Sequence, residues 1–115
     1  MLRMAPEGIT PDVRHDLFGG RGAVKVYNLD PSPMPPFAAA LWCQLDPAGV
    51  VGRHRQEHFP EIVLGLEGDG EATVDDRTFP LRPGSVVHLP LGSVLALRNR
   101  SDDAPLRYLI LKARG

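Results

Sequence analysis

Apolar and polar positions along this chain alternate in short bursts, and glycine, proline and aspartate break each burst before it reaches helix length. Ala23-Val24-Lys25-Val26-Tyr27 alternates with the period of two that turns one parity toward a core, and it predicts a strand. Asp30-Pro31-Ser32-Pro33-Met34-Pro35-Pro36 cannot sustain a ladder, because its prolines lack the amide donor, and it predicts a loop. Phe37 to Leu45 is apolar on both parities. That pattern predicts a strand buried on both sides, or an edge strand that meets a second copy of the chain. Ile62 to Leu66, Val86 to Leu89, Val94 to Arg98 and Leu106 to Lys112 predict further strands. Ala72 and Val74 alternate with Glu71, Thr73 and Asp75, and Asp75-Asp76 fits a two-residue hairpin into Arg77-Thr78-Phe79. Asp46-Pro47-Ala48-Gly49, Gly68-Asp69-Gly70, Pro83-Gly84 and Pro90-Leu91-Gly92 predict turns, with Pro83-Gly84 suited to the centre of a type II turn. The first twenty residues show no sustained period beyond a short turn or helix at His15-Asp16-Leu17-Phe18. Short strands at near-regular spacing with no amphipathic helix predict an all-β barrel or sandwich.

Composition narrows the class. With 115 residues the chain is one domain, and 12 glycines and 12 prolines leave little room for helices of average length. A hydrophobic fraction of 43% argues against disorder. The formal net charge of -1 supplies no bulk field for nucleic acid or an anionic membrane. The longest apolar run, Phe37 to Cys43, is too short to span a bilayer, and the N-terminus has no apolar signal core. These features predict a cytoplasmic protein. Cys43 is alone, which excludes an intrachain disulfide, and its apolar neighbours predict a buried, inert thiol.

The candidate chemistry is in the histidines. His54, Gln56 and His58 are two apart, so a continuous strand would place them on one face, with Glu61 beyond the bend at Pro60. Two imidazoles, a carboxamide and a carboxylate suit a hard or borderline divalent metal; the plainer reading of Arg53 to His58 is a solvated polar stretch.

The spacing of the breakers resembles the cupin superfamily, whose signatures are G(X)5HXH(X)3–4E(X)6G and G(X)5PXG(X)2H(X)3N. His54, Glu61 and Gly68 keep the first, with Gln56 in place of its second histidine and Gly49 one position closer than its leading glycine. Gly84, Pro90, Gly92 and Asn99 keep the second, with Leu95 in place of its histidine. The resemblance implies a double-stranded β-helix of the jelly-roll type, as a single domain over residues 1–115. Residues 1–20 would form an N-terminal arm and residues 21–112 the barrel.

The resemblance also implies a metal site at His54, Gln56, Glu61 and Leu95, of which Leu95 offers no donor. So depleted a set, rich in oxygen, favours Mn, Fe or Mg over Zn or Ni, or holds no metal. His58 and His88 restore the ligand count if they point inward; otherwise they are surface side chains. Trp42 is either core packing or a pocket wall for an organic ligand.

Two functions follow from the resemblance. One is a binding module that holds a small organic molecule in the barrel, with or without a divalent metal. The other is a metal-dependent enzyme of the dioxygenase, isomerase or lyase type. A metal-independent, epimerase-like enzyme ranks below both, because Tyr27 and Tyr108 lie outside the motifs and no general acid is evident. The doubly apolar strand at Phe37 to Leu45 predicts a homodimer, unless the N-terminal residues fold back over it.

Overall fold

Ten antiparallel strands and one short 3-10 turn account for the regular structure of the computed structural model, which describes residues 4–114. Residues 1–3 of the expected arm and residue 115 lie outside the described residues. The strands are β1 (Asp12–His15), β2 (Ala23–Asn28), β3 (Phe37–Leu45), β4 (Val50–Arg55) and β5 (Glu61–Glu67). They continue with β6 (Gly70–Val74), β7 (Arg77–Leu81), β8 (Val86–Leu89), β9 (Val94–Asn99) and β10 (Leu106–Ala113). A six-stranded sheet runs β1-β2-β3-β10-β5-β8, and a four-stranded sheet runs β4-β9-β6-β7. The two sheets enclose one core, in which Val24, Leu45, Val63, Leu81, Leu89, Leu97 and Leu106 are buried.

The breakers act as their chemistry predicts. Gly84 takes φ 89°, and Ser85 N–H donates to Arg82 O at 2.9 Å, so Pro83-Gly84 forms the centre of a tight turn. Asp75 and Asp76 both take positive φ, as the centre of a type I′ hairpin requires, and aspartate tolerates that region better than most residues. The motif asparagine is structural. Asn99 is buried, and its side-chain N–H groups donate to Asp46 O at 3.0 Å and Ala104 O at 2.8 Å. Its Oδ1 accepts from Ser101 N–H at 3.0 Å, so one side chain ties together the loops after β3 and β9.

Three expectations change. Part of the arm is built into the larger sheet, because β1 pairs with β2 from Asp12 opposite Val26 to His15 opposite Ala23. It was invisible as a strand because all four of its residues are exposed. β3 is central, lying between β2 and β10, and so is not an edge strand. Its double apolarity reflects two buried environments: Leu41, Cys43 and Leu45 face the interior, while Trp42 packs edge-on against Tyr27 on the outer face. Lastly, β4 ends at Arg55, so His54, Gln56 and His58 do not share one continuous strand.

Asn99→Leu removes all four side-chain hydrogen bonds, including a long one to Leu45 O at 3.4 Å, and strands buried carbonyls. It is expected to cost about 3 kcal/mol in urea denaturation, with the strand signal in circular dichroism kept in the folded baseline.

Candidate functional site

The interior parities of both sheets stop short of filling the barrel. They leave a cavity of about 460 Å³, walled by Val24, Val26, Leu41, Val51, Leu95 and Ile110. Asp12, Arg14, Arg55 and Glu57 also border it, all four exposed, so these four charged groups lie at the mouth.

His54 enters this cavity from β4, directly opposite Leu95 in the β4–β9 ladder. Its Nδ1 donates to Gly52 O at 2.9 Å. A carbonyl can only accept, so Nδ1 carries a proton, and Nε2 is turned toward the Gln56 carboxamide. Phe18 stacks on the imidazole with ring centres 4.1 Å apart and planes 13° from parallel. That stack depends on two glycines. A Cβ on Gly52 would sit 2.0 Å from Phe18 O, and one on Gly20 would sit 1.9 Å from Val50 O. Only bare backbone lets the 3-10 turn at Leu17–Gly19 lie this close to β4.

Gln56 follows β4 and is buried, held by its own backbone: its N–H donates to Ser93 O at 2.8 Å, and its carbonyl accepts from Gly92 N–H at 2.7 Å. Its side-chain nitrogen sits 3.4 Å from His54 Nε2, a long contact. Glu61 opens β5 with a side chain only 3% exposed, and Lys112 Nζ approaches its Oε2 to 3.5 Å. No hydrogen bond reaches Oε2 among the described residues. Burial raises the Glu61 carboxyl above the ordinary carboxylate range, and the Lys112 ammonium pulls it partly back. Behind this pair, burial and then the Glu61 charge push the Cys43 thiol up to about 12, so the thiol is inert at neutral pH. Burial likewise raises Tyr108 well above the ordinary phenol range and keeps its hydroxyl protonated.

His54, Gln56, Glu61 and Leu95 therefore all border one cavity, and Leu95 is buried within it. His58 reaches only the mouth, on an exposed loop after β4. His88 does not face the cavity. It alternates with the buried Val87 and Leu89, is exposed, and borders a separate groove beside Phe37 and Pro60. Trp42 is also turned away from the cavity, with the Arg107 guanidinium 5.9 Å from its ring centre. In both cases the alternation of the strand assigned the outer face, so neither side chain borders the barrel cavity.

Lys112, Tyr108 and Phe18 are cavity residues that motif spacing did not reveal. The signal for Lys112 was its parity, which it shares with Leu106, Tyr108 and Ile110. A lysine near a strand end ordinarily reads as solvated, and that concealed it.

These residues fit a metal ion poorly. Among the described residues no three His, Cys, Asp or Glu side chains converge. The one buried carboxylate already faces an ammonium. A divalent ion about 5 Å from a lysine ammonium meets on the order of 7 kcal/mol of repulsion at an effective dielectric constant of about 20.

Two antiparallel sheets closed around a cavity, with turns set by the two glycine–proline signatures, define a jelly-roll barrel. Residues 41–112 match the family model described as Cupin domain, and the chain belongs to that family. No curated protein sequence matches the chain. Among solved structures, a predicted oxalate decarboxylase from Thermotoga maritima superposes with a TM-score of 0.86 at 23% identity, covering 96% of this chain and 97% of that one. A cupin-2 domain from Rhodospirillum rubrum gives 0.81 at 19% identity over 97% of this chain and 75% of that one. A Cupin 2 conserved barrel domain protein from Salinispora arenicola gives 0.66 at 26% identity over 80% and 76%. At these identities the first two likenesses speak to fold.

The raised Glu61 carboxyl has a sign that can be checked. The folded state holds the Glu61 proton more tightly than the unfolded chain does, so ionising Glu61 costs stability as pH rises above the unfolded value of about 4.3. Glu61→Gln, which is neutral throughout, is expected to melt above the wild type at pH 7.5. The difference should vanish below about pH 4. A melting difference independent of pH would show that Glu61 is not the group responsible.

Proposed function

We propose that this barrel binds a small organic molecule in its cavity. The observation that carries this reading is an apolar chamber of about 460 Å³ with its few polar groups, His54, Gln56, Glu61 and Lys112, bordering the same space. That volume lies in the range of small-molecule sites, and an apolar wall with a few convergent polar groups is their usual composition. The Leu95 side chain replaces a donor with apolar surface and favours binding over metal chemistry. Ile110→Trp should fill the chamber from β10. In ligand-observed NMR with a panel of small aromatic and aliphatic alcohols and acids, binders of the wild type are expected to lose affinity at least about tenfold in this variant. Equal binding by both proteins would place the ligands elsewhere.

We infer also that two copies pair through the outer face of the six-stranded sheet. Ile62, Leu64, Leu109 and Leu111 alternate with interior residues and stand beside one another across β5 and β10. Ala40 extends this face across β3, and the half-exposed Val86 extends it across β8. So broad an apolar sheet face is costly in water and marks an interaction surface. The partner is a second copy, since a two-fold axis lets one patch serve both sides. Sedimentation equilibrium should give twice the 12.5 kDa chain mass, and Leu109→Asp should return it to one chain with the strand signal intact. A single-chain mass for the wild type at tens of micromolar, the range of ordinary dimer affinities, would overturn the pairing.

A further inference from the structure

The polar end of the cavity holds an unmet acceptor next to an underused donor. Glu61 Oε2 is buried and accepts no hydrogen bond among the described residues. Its one polar neighbour among the described residues is Lys112 Nζ, at the outer limit of hydrogen-bond distance, so a buried carboxylate oxygen beside an open chamber has room for a closer donor. Lys112 Nζ, 3.5 Å away, has three N–H groups and, among the described residues, only this one carboxylate within ion-pair distance. It borders the chamber at the end of the inward parity of β10, and it and Glu61 also border the groove beside Phe37 and Pro60. We propose that Lys112, rather than a metal ion, supplies the positive charge this cavity offers. The ligand is then a compact apolar molecule with a hydroxyl next to a carboxylate or ketone.

The chemistry follows from the two atoms. The hydroxyl donates to Glu61 Oε2 and removes its deficit. The neighbouring carboxylate or carbonyl oxygen accepts from Lys112 Nζ. Oxygens on adjacent carbons can reach both atoms of a pair this close together. A hydrocarbon or a lone carboxylate cannot satisfy both. A carboxylate without the hydroxyl would set a second anion against Glu61 and leave Oε2 unpaired, which penalises it further. The apolar remainder rests on Leu41, Val51, Leu95 and Ile110. Gln56 is a neutral donor close by, and Leu95 removes the nitrogen that would recruit a metal. The ammonium thus explains how the cavity keeps a cationic pole after losing two of the imidazoles that the cupin signatures carry.

This inference rests on the reading that the cavity binds a small organic molecule, and the experiment separates the two. Protein freed of metal with EDTA is titrated by calorimetry with mandelate, phenylacetate and benzyl alcohol. These probes carry both groups, the carboxylate alone and the hydroxyl alone on one apolar body. Mandelate is expected to bind at least roughly tenfold more tightly than either analogue. Lys112→Met should weaken mandelate about tenfold and leave benzyl alcohol unchanged. Glu61→Gln, which nearly keeps shape, should abolish the preference for mandelate over phenylacetate. Lys112→Met should also gain affinity for Mn²⁺ relative to the wild type. Mandelate binding that needs added Mn²⁺, or that survives both substitutions, would overturn the proposal. If benzyl alcohol binds in a manner blocked by Ile110→Trp but mandelate does not bind, the ligand class is wrong and the cavity reading stands. If no probe binds, both fall.

Discussion

β10 is the strand on which the rest of this structure depends. It lies between β3 and β5 in the larger sheet and bonds to both along most of its length. Its inward parity places Leu106 in the core, then Tyr108, Ile110 and Lys112 along the cavity wall. Its outward parity places Leu109 and Leu111 on the opposite face. One strand therefore fixes the core, the charge in the chamber and the apolar outer surface. Both of its partners, β3 and β5, lie far earlier in the sequence. Such non-local pairing is slow to nucleate and cooperative once formed.

The smaller sheet makes a different contribution. β4 brings His54 to the cavity and β9 sets Leu95 opposite it, so the polar and apolar halves of the wall meet across one ladder. The N-terminal segment completes the site from outside that sheet. It places Phe18 against the imidazole through a backbone approach that two glycines permit. Phe18 itself takes φ 55°, an unfavourable value for an aromatic residue, which the surrounding bonds must hold. Gly20 N–H donating to Leu17 O at 3.0 Å and Arg21 N–H donating to Val50 O at 2.9 Å are such bonds.

Glu61 and Lys112 set a carboxylate against an ammonium where the cupin signatures imply a metal ligand. A carboxylate at the ligand position survives, but its partner is an ammonium from the far end of the chain. The pair is half-dry: the glutamate is enclosed and the lysine partly exposed. Buried ion pairs of this kind contribute little net stability, because desolvation offsets the attraction. Such a pair beside a chamber of ligand size supports the binding role proposed above.

Most of the strands, the turns and the family resemblance were legible in the pattern of residues alone. Glycine and proline spacing reports local backbone demands, and those are met within a few residues: Pro83-Gly84 turns and Asp75-Asp76 hairpins wherever they occur. It also placed His54, Gln56, Glu61 and Leu95 around one space, because the signature spacing encodes the strand register. Which way the remaining candidates point was decided only by the tertiary structure. Trp42 and His88 turned outward and Lys112 inward, since a period of two separates the parities of a strand but does not say which faces the core. That choice is made by the neighbouring strands. For β10 those neighbours, β3 and β5, lie far earlier in the chain. β1 escaped notice for a related reason: its exposed residues carry no hydrophobic pattern, and only the backbone bonds to β2 make it a strand.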